Sequence, residues 1–465
     1  MMRFGFTKIC SYQRHRRFPA RSLVVLVSSL IAANAAMATE YIRQESPQPA
    51  SAQDLEVSID HAFTDKPLSE RFLLTNVKGR LADKPEFWRD TKFYYDFRSY
   101  LFRRRNSSDN RPEASALGGV VGYRSGWWNN LSIGAAYYNS TKLDASGPDT
   151  GLLAPGQDNI NVLGEANLHY RFTGTFLKGS TVTLYRQSLS LPFINKHDIR
   201  QLPAAHEAYT ISRRNSDLDY IVSHITKFKN FDSEDFIYMS EAAGATGTNK
   251  GVTVAGARYA VTENSSIGAG NIYGWDTFNT FFVEGTYHTV FGEGFDMRLS
   301  GQFTDQRSVG DKLVGEFDTR QFAAKAAFGV FGAVITLAGS VVDDEAAIRK
   351  PWGGTPSYLS IQRLDFDRAG EKALLLGLSY NTDFFSSLGF SSYLNIAHGS
   401  DAKDPVTGIG LPDRTEYDIT VDYKPPKGFL EGLWIRARYN RIDTEADNTE
   451  VYDFRLIINY TMPFL

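Results

Sequence analysis

The stretch Tyr452-Asp453-Phe454-Arg455-Leu456-Ile457-Ile458-Asn459-Tyr460-Thr461-Met462 constrains the fold more than any other part of the chain. In an extended strand successive side chains point to opposite faces. One face therefore carries Tyr452, Phe454, Leu456, Ile458, Tyr460 and Met462, and the other Asp453, Arg455, Ile457, Asn459 and Thr461. Strands of water-soluble proteins average about five or six residues. A tilted strand that crosses a bilayer needs roughly 9–11, and this one, continued in phase by Phe464, has that length.

The same two-faced alternation recurs. Residues 416–424 set Tyr417, Ile419, Val421 and Tyr423 against Glu416, Asp418, Thr420, Asp422 and Lys424. Residues 295–304 set Phe295, Met297, Leu299 and Phe303 against Asp296, Arg298, Ser300, Gln302 and Thr304. Leu168, Tyr170 and Phe172 oppose Asn167, His169 and Arg171. A soluble β-sandwich shares the period but has shorter strands. Connection lengths decide between the two. Short links near 125–130, 174–178, 229–234, 262–265, 291–294, 381–388 and 424–431 alternate with long polar links near 103–115, 140–160, 187–215, 304–318, 342–370, 399–414 and 441–451. Short periplasmic turns and long extracellular loops are the pattern of a transmembrane antiparallel up-and-down β-barrel. Threading strands between these links gives about 18 crossings over residues 92–465, including a faint one at 236–240.

The first residues form a separate region. Arg3, Lys8, Arg14, Arg16, Arg17 and Arg21 precede an apolar run from Ser22 to Ala33 and then Ala36-Met37-Ala38. This is the layout of a secretory signal peptide, residues 1–38, and predicts export through the Sec pathway. The only cysteine, Cys10, lies inside it, which argues against thiolate metal sites, thiol catalysis and disulfides in the exported chain. Removing those cations leaves a net acidic remainder, a poor composition for nucleic-acid binding. Aromatic content of 13 % beside 39 glycines suits strands and turns. Residues 39–91 contain Pro47, Pro49, Pro67 and Pro85 and a helix-compatible stretch at 68–81. They read as a periplasmic arm, with a lumen-packed segment as the alternative.

Motifs for chemistry are few. No H-E-x-x-H, G-x-S-x-G, Walker loop or paired-cysteine motif occurs, and Gly268-Ala269-Gly270 with Gly274 lacks the spacing of a dinucleotide fingerprint. His197-Asp198 sits in a long polar loop, where such a pair is ordinarily solvated. The expectation is no enzyme, no catalytic residue, no cofactor and no metal. The inward faces say more. Arg98, Arg171, Arg298, Lys325, Arg436, Arg438 and Arg455 all fall on the non-lipid side of their strands, because a charge facing lipid would cost roughly 2–4 kcal/mol near the midplane. Inward cations make a positive track for small anionic or zwitterionic solutes. Pairing with Asp96, Asp296, Asp422 and Asp453 to stiffen the wall is the other reading of the same residues.

These features resemble the OprD-type outer-membrane porins of Gram-negative bacteria, the outer-membrane carboxylate channels. Phe97-Arg98-Ser99-Tyr100-Leu101-Phe102 looks like the family's opening strand. Leu191-Pro192 and Asn195-Lys196-His197-Asp198-Ile199-Arg200-Gln201-Leu202-Pro203 look like its third extracellular loop. Phe317-Asp318-Thr319-Arg320, Gly353-Gly354-Thr355 and Arg455-Leu456-Ile457-Ile458-Asn459-Tyr460 also match, in order, across residues 92–465. The resemblance implies a barrel of about eighteen strands whose third, fourth and seventh loops, near 187–215, 241–251 and 342–370, fold inward to narrow the pore. It implies passive, substrate-selective uptake of small water-soluble molecules, commonly carboxylates, along a basic ladder. Arg98, Arg436, Arg438 and Arg455 match basic strand positions, while Asn195, Arg200, Ser357 and Tyr358 belong to the constricting loops. The expected surroundings are outer-membrane lipid and lipopolysaccharide, with the C-terminal strand as the contact of the barrel-assembly machinery; oligomeric state is left open. Where the family has Asn-Asp after Gly-Gly-Thr, this chain has Pro356, so an acidic partner for a substrate ammonium is not expected from that loop. The alternatives are a general diffusion porin and a barrel enzyme, lipase or protease.

Overall fold

Eighteen long antiparallel strands close on themselves in this computed structural model. It describes residues 72–465 apart from 107–110, 175, 215–216, 385–387, 426–429 and 446. The signal-like segment 1–38 and residues 39–71 lie outside the described residues. The first six strands are β1 (Lys92–Arg105), β2 (Glu113–Arg124), β3 (Leu131–Ser146), β4 (Ile160–Arg171), β5 (Ser180–Gln187) and β6 (Ala205–Arg213). Then come β7 (Leu218–Lys229), β8 (Val252–Thr262), β9 (Ser265–Gly274), β10 (Phe278–Gly292), β11 (Phe295–Ser308) and β12 (Asp318–Val330). The last six are β13 (Ala333–Val342), β14 (Lys372–Asn381), β15 (Phe390–Ser400), β16 (Arg414–Tyr423), β17 (Leu433–Thr444) and β18 (Asp447–Pro463).

Each strand pairs with its sequence neighbours, and β1 pairs with β18 as well as β2, so Arg98 stands opposite Asn459 and Tyr100 opposite Ile457. Closure satisfies the backbone groups that an open edge would leave bare in hydrocarbon. The predicted phase holds. Leu374, Leu376 and Leu378 of β14 are 72 %, 52 % and 46 % exposed, while Ala373 and Leu375 between them are buried. In β18 the inward Asp453, Arg455, Ile457, Asn459 and Thr461 are all buried. Aromatic doublets split across the wall: Tyr137 and Phe281 face out, whereas Tyr138 and Phe282 are buried inside.

The strand count agrees with the expectation, but two segments exchange places. The expected crossing at 236–240 is a two-residue strand, Ile237–Tyr238, at the end of β7, followed by the helical turn Met239–Ala242. The expected loop 187–215 instead contains β6, a full crossing. β6 shows only Tyr209 and Ile211 as outward apolar residues, and a register shift between Glu207 and Ala208 interrupts its alternation. Phe236-Ile237-Tyr238-Met239 reads as strand because its apolar residues serve a loop core, where Met239 is fully buried. The periplasmic turn therefore lies between β6 and β7, and residues 229–234 belong to the extracellular side.

Among the described residues, L3 (188–204), L4 (230–251) and L7 (343–371) fold into the lumen, and Leu152 and Leu153 of the loop between β3 and β4 pack on Tyr100 and Trp434. They bring their own apolar core. Phe193 and Ile194 of L3, Met239 of L4, and Ile348 and Trp352 of L7 pack with Phe278 and Phe282 of β10. Leu359, Ile361 and Phe366 of L7 cover Ala338, Leu375 and Ala397 of β13–β15. Trp352 stacks on Phe278, centroids 4.9 Å apart, and donates from Nε1 to the Met239 carbonyl at 2.8 Å.

Before β1 the chain forms α1 (Thr75–Leu81) and α2 (Glu86–Arg89) at the short-turn end. The amides of Leu73 and Leu74 donate to the carbonyls of Pro463 and Phe464, and that of Gly126 to Phe87. A side chain at Gly126 would meet the Glu86 carbonyl at 1.9 Å, so that close approach needs glycine.

The lipid phase of β14 gives a direct test. Leu376→Lys places a charge among Leu337 and Ile396, both half exposed to lipid, and should cost about 2–4 kcal/mol in urea unfolding from lipid vesicles. Ser379→Lys, on the lumen side of the same strand, should cost less than about 1 kcal/mol.

Candidate functional site

Inside the lumen L3 meets L7. In L3, Ser190–Leu191 and Ile194–Asn195 pair as a minimal hairpin. Asn195 then bolts the loops together: its Nδ2 donates to the Gly354 carbonyl at 2.9 Å and its Oδ1 accepts from the Gly354 amide at 3.0 Å. A Cβ at Gly353 would lie 2.8 Å from the Asn195 nitrogen, so the contact depends on glycine there.

Both loops are also fastened to the barrel wall. Arg98 holds L3: it pairs with Asp198 at 2.6 Å, donates to Asn459 at 2.8 Å, and its carbonyl accepts from Gln201 Nε2 at 2.8 Å. L7 is held on the β16–β18 side. The Gln362 amide donates to Asp418 at 3.0 Å, the Leu364 amide to Glu416 at 2.7 Å, and Arg455 donates to the Gln362 carbonyl at 3.1 Å. On the opposite side Gln302 Nε2 donates to the Pro356 carbonyl at 2.8 Å, and the Tyr358 hydroxyl donates to Glu284 at 2.7 Å.

Between these fastenings lies a cavity of about 600 Å³. Its wall side includes Arg258, Glu284 and Lys325, and its loop side Lys196, His197, Ser357 and Tyr358. The Lys325 ammonium sits 4.7 Å from the Tyr358 ring centroid, a cation–π contact. Cations, hydroxyls and amides thus line one cavity, which is how a pore recognises a charged solute without chemistry.

The sequence-predicted residues fall into groups. Arg98, Arg436, Arg438 and Arg455 come together on the adjacent strands β1, β17 and β18, with Arg438 in register opposite Arg455. All four are buried beneath L3 and L7. Arg436 forks onto Asp422 with two contacts of 2.6 Å, and Arg455 onto Asp453 at 2.8 and 3.0 Å; these carboxylates were the expected partners. Arg98 takes Asp198 from L3, whereas Asp96 accepts from Thr461 at 2.7 Å. Arg200 packs over Phe102 and Phe231, and burial with Arg455 nearby pushes its guanidinium down to about 10. Lys325, Asn195, Ser357 and Tyr358 line the cavity, and Arg298 lies below Lys325 on β11, inward and half-buried. Arg171 is distant, at the periplasmic end of β4, paired with Glu86 at 3.0 Å and stacked on Trp127. Arg258, Glu284 and Gln302 line the cavity without having been singled out. Their inward phase on β8, β10 and β11 carried the same signal that selected Arg298.

Residues 85–464 match the outer membrane porins of the OprD family. The chain belongs to that family. Solved structures agree with the fold. OccK9 (OpdG) of Pseudomonas aeruginosa is 21 % identical, with a TM-score of 0.73 over 82 % of this chain and 100 % of that one. A BenF-like porin of Pseudomonas fluorescens Pf-5 is 18 % identical, with a TM-score of 0.72 over 81 % and 100 %. Pseudomonas aeruginosa OpdK, in a structure with vanillate, is 18 % identical, with a TM-score of 0.71 over 80 % and 99 %. No curated protein sequence matches the chain. The protein is thus an outer-membrane porin, surrounded by lipid and lipopolysaccharide and passing small solutes; its family consists of channels rather than enzymes.

His197 makes the loop junction of this porin sensitive to acid. Burial, with Arg200 beside it, pushes the imidazole from 6.5 down to about 4, against the opposing charges of Asp365 and Asp198. A released L3 titrates at the ordinary value, so between pH 6.5 and 4 the released state binds a proton that the packed state does not. Acidification therefore favours release. Open-channel noise in planar bilayers should rise as pH falls through that window, and His197→Gln should flatten the response.

Proposed function

We propose that this porin is a substrate-selective uptake channel for small carboxylate-bearing solutes, drawn through the cavity between L3 and L7. The carrying observation is the lining of that cavity, where Lys325, Arg258 and Lys196 converge with the hydroxyls of Ser357 and Tyr358. A carboxylate entering there exchanges water for charge-assisted hydrogen bonds, and release remains easy because the site is hydrated. Arg298 extends the cationic surface downward. Arg98, Arg436, Arg438 and Arg455 contribute positive field from behind the loops, and Arg171 stands at the exit. The vanillate in the OpdK structure is a carboxylate of the size in question and supports the reading. Residues 1–38 serve as the export signal, residues 39–91 as a periplasmic segment, and the C-terminal strand as the contact of the assembly machinery.

In planar bilayers, small monocarboxylates added on the outer side should reduce single-channel current in a saturable way. A hydrogen bond to a charged group contributes about 1.5–3 kcal/mol, so Lys325→Met should weaken that block about tenfold or more. Current indifferent to every carboxylate tried would reduce the protein to a general diffusion porin.

A further inference from the structure

We infer that Glu284 is the residue that sets the aperture of this channel, by holding Tyr358 of L7 in place across the cavity. This rests on reading the L3–L7 cavity as the solute path. Besides its bonds to Gln306 of β11, Thr319 of β12 and Met239 of L4, L7 has three sets of attachments along residues 354–364. Those to β16–β18 are made by loop backbone groups on buried carboxylates and Arg455. The attachment to L3 is the double bond between Asn195 and the Gly354 backbone. The third, to β10 and β11, lies at the cavity edge and converges on one carboxylate. Glu284 Oε1 accepts from the Tyr358 hydroxyl at 2.7 Å and from Gln302 Nε2 at 3.0 Å, and the same Gln302 nitrogen reaches the Pro356 carbonyl at 2.8 Å. Glu284 and Gln302 are register partners on neighbouring strands, so the rigid sheet fixes their spacing. On its other flank Glu284 faces Gly268, which places no side chain against the carboxylate.

The geometry gives Glu284 a function different from that of the cations. A tyrosine ring has two side-chain torsions and, without its hydroxyl tethered, moves among staggered positions. Tethered, it presents one edge to the passage and stays over Lys325. A solute carboxylate approaching Lys325 therefore passes a rim of fixed width. Glu284 also brings a carboxylate to the cavity wall. Its charge opposes a second negative group on the solute, so the same residue limits both size and charge.

Single-channel recording of full-length variants, checked for folding by heat-modifiable gel migration, tests the inference. E284A should raise conductance about twofold with greater open-channel noise, because the rim is released. Y358F, which deletes only the hydroxyl, should do the same. E284Q keeps an oxygen acceptor for Tyr358, so its open-channel noise should stay below that of E284A, while dicarboxylates are admitted more readily. The double variant E284A/Y358F should exceed neither single change, since both break one interaction. Parental conductance and noise in both E284A and Y358F, or effects that add in the double variant, would overturn the inference. Should E284A fail to insert, Y358F and E284Q carry the comparison. A channel that widens in these variants but ignores carboxylates would sink the proposed substrate class and leave the aperture role standing.

Discussion

Everything in this molecule follows from the requirement that no backbone amide or carbonyl be left unpaired in hydrocarbon. A single helix meets it within itself; a sheet meets it only by closing, and here closure is the pairing of β1 with β18 from Tyr94 opposite Pro463 to Arg105 opposite Tyr452. Once the sheet is closed, each strand has one face in lipid and one in the lumen. The period-two alternation then decides the side of every residue, and a slip of one residue would turn every lumenal charge toward lipid.

Closure creates a second problem, a wide wet lumen, and the chain solves it with loops rather than wall side chains. L3, L4 and L7 carry enough apolar residues to build a core inside the barrel, centred on Trp352 and Phe278. The wall under them changes character accordingly. Inward positions on β10 and β13–β15 beneath the loops hold Phe282, Ala338, Leu375 and Ala397 instead of polar residues. Elsewhere the loops are held by charge. Arg98–Asp198 is a nearly inaccessible pair that ties L3 to β1, and removing one partner of such a pair costs about 3–5 kcal/mol; Arg455, itself paired with Asp453 on β18, holds the Gln362 carbonyl of L7.

The barrel was legible from the sequence because its signal is repeated and long. β16 shows it without interruption from Glu416 to Tyr423. β6 was not legible, since a register shift and two outward apolar residues leave almost nothing of the period. Residues 236–240 were misleading for the converse reason: apolar residues that serve a loop core look like those that face lipid. The inward arginines were identified by phase, but phase says only which face a side chain occupies. Whether that face is open depends on which loop lies over it, and this is decided by tertiary contacts such as Asn195 with Gly354, far apart in the chain. Glu284 had the inward phase but not the positive charge by which the ladder was picked out; its meaning comes from Tyr358, brought to it by L7.

The position of the opening follows from where the loops are tied. L7 is attached by backbone groups and buried ion pairs to β16–β18, and L3 to β1, so the lumen on that side is filled and its arginines are covered. The cavity is left toward β8–β15, and at its edge Tyr358 and Gln302 meet Glu284 by side-chain contacts. Three of the covered arginines, Arg98, Arg436 and Arg455, are each paired with a buried carboxylate, whereas Lys325 and Arg258 reach the cavity directly. A family pattern of basic residues can therefore persist in a sequence while the work of contact shifts to a different wall, according to how firmly each loop is tied down.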